Sequence, residues 1–248
     1  MSQAILKVSN LTKSYGAIQA VGGVSFEVPA GEIFGVIGPN GSGKTTLFNS
    51  MLGQITPDGG RIELKGEDVT HLGPLELNRR GVGRTFQTLQ VFPKMSVMDN
   101  LLVAAQEHEG NKLSRLFGAH SQHIEDLANH FIDQFKIRHV AHQRAGELSY
   151  GQQKLVDIAM AFMREPEVVL LDEPCAGVNP SLVGEISRLL KLLNKERGGS
   201  FVVIEHNMDF VMGLCDRVMV MVEGQILAIG SPDEIRSNEA VLNAYLGN

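Results

Sequence analysis

The chain has 248 residues, 43% of them hydrophobic and 20% charged, and carries a net charge of −6. That length allows one large domain or two small ones with ample core, the composition is that of a globular protein, and no apolar run approaches the roughly 18 residues needed to cross a bilayer. An acidic balance with no run of Lys or Arg argues against a nucleic-acid-binding surface, and the two cysteines, Cys175 and Cys215, carry no metal or redox spacing, which suits a reduced cytoplasm.

Residues 1–7 lack the basic segment and apolar run of a secretory leader. Residues 4–8 read as a strand, 10–16 as a loop carrying Tyr15, and 21–28 as a strand ending at the turn Pro29-Ala-Gly31. Residues 32–37 are a buried strand. Next comes Gly38-Pro-Asn-Gly-Ser-Gly-Lys-Thr45, then the first turns of a helix from Thr46. Pro57-Asp-Gly-Gly60 is a turn, 61–65 a half-exposed strand, and 81–87 a strand ending at Gln87. From Ser96 the period becomes helical, over 96–105 and 123–135, with Ile124, Leu127, Ala128, Phe131, Ile132 and Phe135 on the apolar face. Ser96 with Asp99 starts the first of these helices. Residues 90–147 are thus a helical subdomain inserted between 1–89 and 148–248, which together form the core and a β subdomain. After Leu148-Ser-Tyr-Gly-Gln152 a helix spans 153–163. Residues 168–173 form an apolar strand ending in two acids, 181–196 an amphipathic helix, and 200–204 a buried strand followed by Glu205-His206. Strands at 218–222 and 226–229 and two short helices complete the chain.

Residues 38–45 fit G-x-x-x-x-G-K-[ST], and a strand before and a helix after turn the pattern into a phosphate site. Gly38, Gly41 and Gly43 let successive N–H groups face one concavity, helped by the helix dipole. Lys44 reaches the β- and γ-phosphates, and the Thr45 hydroxyl ligates Mg²⁺. Asp172 at a buried strand end is placed to hold Mg²⁺, and Glu173 to activate water. His206 follows a second apolar strand which, as a parallel neighbour, brings it to the γ-phosphate. Gln87, at another strand end, touches Mg²⁺ or that water. Tyr15 stacks on a base or is a plain loop aromatic. His120, His123, His130, His139 and His142 are explained by a solvated helical face, since zinc sites need convergent Cys or carboxylate ligands.

Together these residues resemble the ATP-binding-cassette ATPases over nearly the whole chain. Tyr15 matches the A-loop, GPNGSGKT at 38–45 the P-loop, Gln87 the Q-loop, and LSYGQ at 148–152 the signature. VVLLDE at 168–173 matches the Walker B strand, AGVNP at 176–180 the D-loop, and His206 the switch histidine. The resemblance implies an α/β P-loop NTPase (RecA-like) core with an antiparallel β subdomain and an α-helical subdomain. It implies ATP and Mg²⁺ as ligands and adds Asn40, Ser42 and Thr46 to the nucleotide contacts. Ser149, Gly151 and Gln152 are then expected to close over ATP held by the other subunit of a head-to-tail dimer, homodimer or heterodimer. Tyr150 stands where the family has Gly, and Ala176 and Asn179 where Ser and Asp are common. RTFQ at 84–87, residues 204–211 and the ending 244–247 resemble the ATPases of branched-chain amino acid importers; urea importers and lipopolysaccharide exporters look similar. A subunit of that kind is expected on the cytoplasmic face of the inner membrane. Its expected partners are two separately encoded permease subunits and an external solute-binding protein, with no nucleic acid; a nucleic-acid-associated ATPase is the rival from another class.

Overall fold

A computed structural model describes residues 4–85, 89–106 and 119–246. Strands β1 (Ala4–Tyr15) and β2 (Ile18–Pro29) form a long antiparallel hairpin, followed by β3 (Ile33–Ile37) and helix α1 (Lys44–Met51). Strands β4 (Gly59–Leu64) and β5 (Glu67–Asp68), helix α2 (Pro74–Arg79) and strand β6 (Val82–Arg84) come next. Helices α3 (Val97–Ala104), α4 (Ala119–Gln134) and α5 (Tyr150–Phe162) then lead to β7 (Val168–Asp172), α6 (Pro180–Arg197) and β8 (Ser200–Ile204). Helix α7 (Met208–Leu214), the hairpin β9 (Arg217–Val222) and β10 (Gln225–Gly230), and helices α8 (Pro232–Ser237) and α9 (Glu239–Leu246) end the chain.

The strands make two sheets. One is antiparallel, in the order β2-β1-β4-β5; the other runs β10-β9-β3-β8-β7-β6, with every pair parallel except β10–β9. The parallel strands are apolar except near their ends because both of their faces are covered. Side-chain alternation splits them cleanly. Phe34, Val36, Val168, Leu170, Val202, Ile204, Met219 and Met221 join the core shared with α1 and the antiparallel sheet. Ile33, Ile37, Val169, Leu171, Phe201, Val203, Val218 and Val220 join the core shared with α4, α5, α6 and α7.

Several boundaries differ from the sequence expectation. Of the segment 10–16, expected as a loop, residues 10–15 are the second half of β1. Asn10 takes a left-handed φ of 48° at a register shift, its N–H donates to Ser25 Oγ at 2.7 Å, and pairing with β2 then resumes to Tyr15. A bulge absorbs the turn-forming residue without ending the strand. Helix α5 begins at Tyr150 rather than 153, because Ser149 and Gln152 form a capping box. Helices α2 and α7 were not anticipated; both are short, and α2 is held by a Pro start. Helix α3 has the Ser96–Asp99 capping box that its sequence announces.

Candidate active site

Loop 38–45 is wedged between the β1–β2 hairpin and the end of β9. Gly43, the N-cap residue of α1, has φ 96°, and a Cβ there would stand 2.0 Å from Ala20 O. A Cβ on Gly38 would stand 2.1 Å from Met221 O. Only glycine fits either position. The loop is further tied down by a hydrogen bond from Gly224 N–H to Ser42 O at 3.1 Å. Lys44 Nζ lies across the loop, donating to Gly38 O at 2.8 Å and Pro39 O at 2.9 Å. Burial lowers the Lys44 pKa, and the carboxylate of Glu173 opposes that shift. Helix α1 has no side-chain cap, so its first N–H groups are left for an anion. Asn40, Gly41 and Thr45 are exposed around the loop, and Thr46 is half-buried. Tyr15 is 50% exposed at the hairpin tip, paired with Ile18 and thus two residues along β2 from Ala20.

Strand order carries the acids to this loop. Strands β3, β8 and β7 are consecutive and parallel, so their C-terminal ends share one edge. Asp172 ends β7, and its N–H donates to Thr85 Oγ1 at 3.1 Å. Burial raises the Asp172 pKa, Glu173 and Glu205 add to the rise, and Lys154 pulls it down. Glu173 has a left-handed φ of 45° and donates its N–H to Ile204 O at 2.9 Å. This costly conformation turns the chain off the sheet at the point where chemistry is expected. His206 Nδ1 lies 3.7 Å from Glu173 Oε1 and 3.8 Å from Glu205 Oε2.

Sequence reasoning missed Glu205, which is 1% exposed and organises this edge. Its Oε1 accepts from Cys175 N–H at 2.8 Å, and its Oε2 from His206 N–H at 3.0 Å and Asn207 N–H at 3.2 Å. An acid directly after the apolar run 201–204 is the signal that could have found it. Gln87 lies outside the described residues. Ser149, Gly151 and Gln152 lie elsewhere, on the first turn of α5, in a groove lined also by His139, Gly177, Asn179 and Leu182 and by none of residues 38–46.

A family model described as "ABC transporter" matches residues 21–176, more than half of the chain. The chain belongs to the ABC transporter ATP-binding family. A second model, "Branched-chain amino acid ATP-binding cassette transporter", matches residues 225–248. The high-affinity branched-chain amino acid transport ATP-binding protein BraF of Pseudomonas aeruginosa is 39% identical over 100% of this chain and 99% of its own length. Its counterpart LivG of Escherichia coli is 38% identical, again over 100% of this chain and 99% of its own. A crystal structure of an ATP-binding cassette of an ABC transporter in its ADP conformation superposes with a TM-score of 0.88, at 36% identity and full coverage of both chains.

This ABC ATPase therefore has the P-loop NTPase fold with its added antiparallel sheet, and it binds nucleotide and hydrolyses ATP. Its loop and acid edge also suit a magnesium ion. The Thr45 hydroxyl and Asp172 carboxylate are hard oxygen donors, too few for an all-protein cage, as expected where substrate phosphates complete the shell. Among the described residues no His, Cys, Asp and Glu cluster competes as a metal site.

Proposed function

We propose that this ABC ATPase powers uptake of branched-chain or related amino acids, with ATP cleaved between the P-loop and the β7–β8 edge. One arrangement carries the catalytic part: Glu173, directly after Asp172 at the C-terminal end of β7, stands on the same sheet edge as the phosphate loop that follows β3, and its carboxylate opposes the burial-driven fall of the Lys44 pKa. The names of the full-length relatives and the match at 225–248 support the substrate class. Tyr15 stacks on the base. The amides of 38–46, with Asn40, Ser42 and Thr46, wrap the phosphates, and Lys44 trades its carbonyl partners for phosphate oxygens. Thr45, Asp172 and Gln87 hold Mg²⁺, whose chemistry is to neutralise charge on the phosphate oxygens. Glu173 takes the proton of the attacking water as general base, and His206 orients that water and the γ-phosphate. Ser149, Gly151 and Gln152 close over the nucleotide of a second ATPase subunit, so ATP binding shuts the dimer and hydrolysis reopens it.

No described helix is long and apolar enough to cross a membrane. Two permease subunits, served by an external solute-binding protein, would supply the channel, and this chain would sit peripherally on the cytoplasmic face. Residues 90–147, the helical subdomain that follows Gln87 in the sequence, are the docking element, and 1–89 with 148–248 the nucleotide-binding core. Glu173→Gln tests the assigned base. It should keep nucleotide affinity, trap an ATP-bound dimer in sedimentation, and cut phosphate release by about 10²-fold or more. Wild-type turnover in that variant would remove Glu173 from the mechanism.

A further inference from the structure

Tyr150, the residue that departs from the family's usual glycine, lies across the loop that precedes α6. Its OH donates to Ala176 O at 3.3 Å. Its ring covers Gly177, where φ is 72° and a Cβ would come within 3.0 Å of Tyr150 Cε1. One residue along, a Cβ on Gly151 would meet Leu182 Cδ2, in the first turn of α6, at 2.6 Å. Asn179 caps α6, its Oδ1 accepting from Leu182 N–H at 2.9 Å. The loop is thus held at its start by Tyr150 and at its end by the cap. Tyr150 is 45% exposed, so core packing does not account for where its ring lies. Both segments line the same groove of about 620 Å³.

We propose that Tyr150 is a positioning residue that fastens loop 176–180 to the first turn of α5, so that the two present one rigid face to the nucleotide held by a second copy of the chain. This rests on the role given above to Ser149 and Gly151. The physical gain is entropic. A loop already fixed on α5 loses less conformational freedom when the dimer closes, so closure is tighter without a new contact to the nucleotide. Tyrosine at 150 also fits the glycine at 177, since a side chain there would push the ring away.

Hydrogen–deuterium exchange of the full chain tests the tether directly. Tyr150→Phe should raise exchange in 175–180 roughly threefold and Tyr150→Gly roughly tenfold, the scale of one neutral hydrogen bond and one aromatic contact. In the Glu173→Gln background, both variants should weaken ATP-driven dimerisation by similar factors in sedimentation while leaving fluorescent-ATP affinity within about twofold. Gly177→Ala should weaken it too, and the double variant Tyr150→Gly/Gly177→Ala should lose less than the product of the two single losses. Unchanged exchange in both Tyr150 variants, or strictly multiplicative losses, overturns the proposal; Tyr150→Phe decides it if the glycine variant does not fold. Ser149→Arg is the control. If it leaves dimerisation intact, the role given to the α5 face is wrong and the second-copy half of the proposal falls with it, while exchange still decides the tether.

Discussion

A buried carboxylate that receives three backbone N–H groups is hard to replace. Glu205 does this for Cys175, His206 and Asn207. A Glu205→Gln amide would set an N–H against one of these donors, at a cost of about 1–3 kcal/mol. We expect a lower urea midpoint and slower hydrolysis, because the freed amides flank Glu173 and His206, with fluorescent-ATP affinity changed only a few-fold. An unaltered midpoint would show that the three contacts contribute little. At Gly43, Ala adds a Cβ 2.0 Å from a backbone oxygen at a φ of 96°. Main chain cannot move aside as a flexible side chain can. Gly43→Ala should therefore abolish the rise in melting temperature that ATP gives the wild type, and a full rise would refute the wedged loop.

At the scale of the element, α5 carries two charges into the interior. Lys154 is fully buried, and Asp157 one turn on is 4% exposed. Asp157 Oδ1 accepts from Gln90 N–H at 3.1 Å, while its Oδ2 and Lys154 Nζ have no hydrogen-bond partner among the described residues. Burial raises the Asp157 pKa above 3.8, and Gln90 N–H and Lys154 offset only part of the rise. A carboxyl raised on folding contributes stability below its unfolded pKa and loses it as pH climbs through the folded value. The ionised form is therefore a burden at neutral pH. Asp157→Asn should raise the melting temperature at pH 7, by about 2–4 °C for each kcal/mol relieved in a chain this long, and the gain should vanish toward pH 3.8. A lower melting temperature at pH 7 would mean that the Lys154 pairing outweighs desolvation.

For the whole molecule, the question is how nucleotide state reaches the permease. Residues 89–96, just before α3, present Phe92, 46% exposed, and an exposed Lys94. An exposed aromatic with a cation nearby is a common make-up for an interface anchor. Lys94→Glu should lower co-isolation with the permease subunits several-fold, more so at low salt, without altering ATP affinity of the isolated chain. Equal recovery of the permease at every ionic strength would move the docking site elsewhere.

How much of this was legible without coordinates follows from range. The phosphate loop, the apolar strands ending at Asp172 and near His206, and the Ser96–Asp99 capping box are local patterns, so spacing alone made them legible and with them the roles proposed for Lys44, Thr45 and Glu173. Whether β8 lies between β3 and β7, which puts Glu173 on the same sheet edge as the loop carrying Lys44, is a matter of strand order. The same holds for β1, which runs on through Asn10 because β2 and β4 pair with it on both sides of that residue. Glu205 as an amide anchor and Tyr150 lying on Gly177 join segments about 30 residues apart. Such pairings depend on which surfaces the core forces together, and only the packed tertiary structure decides that.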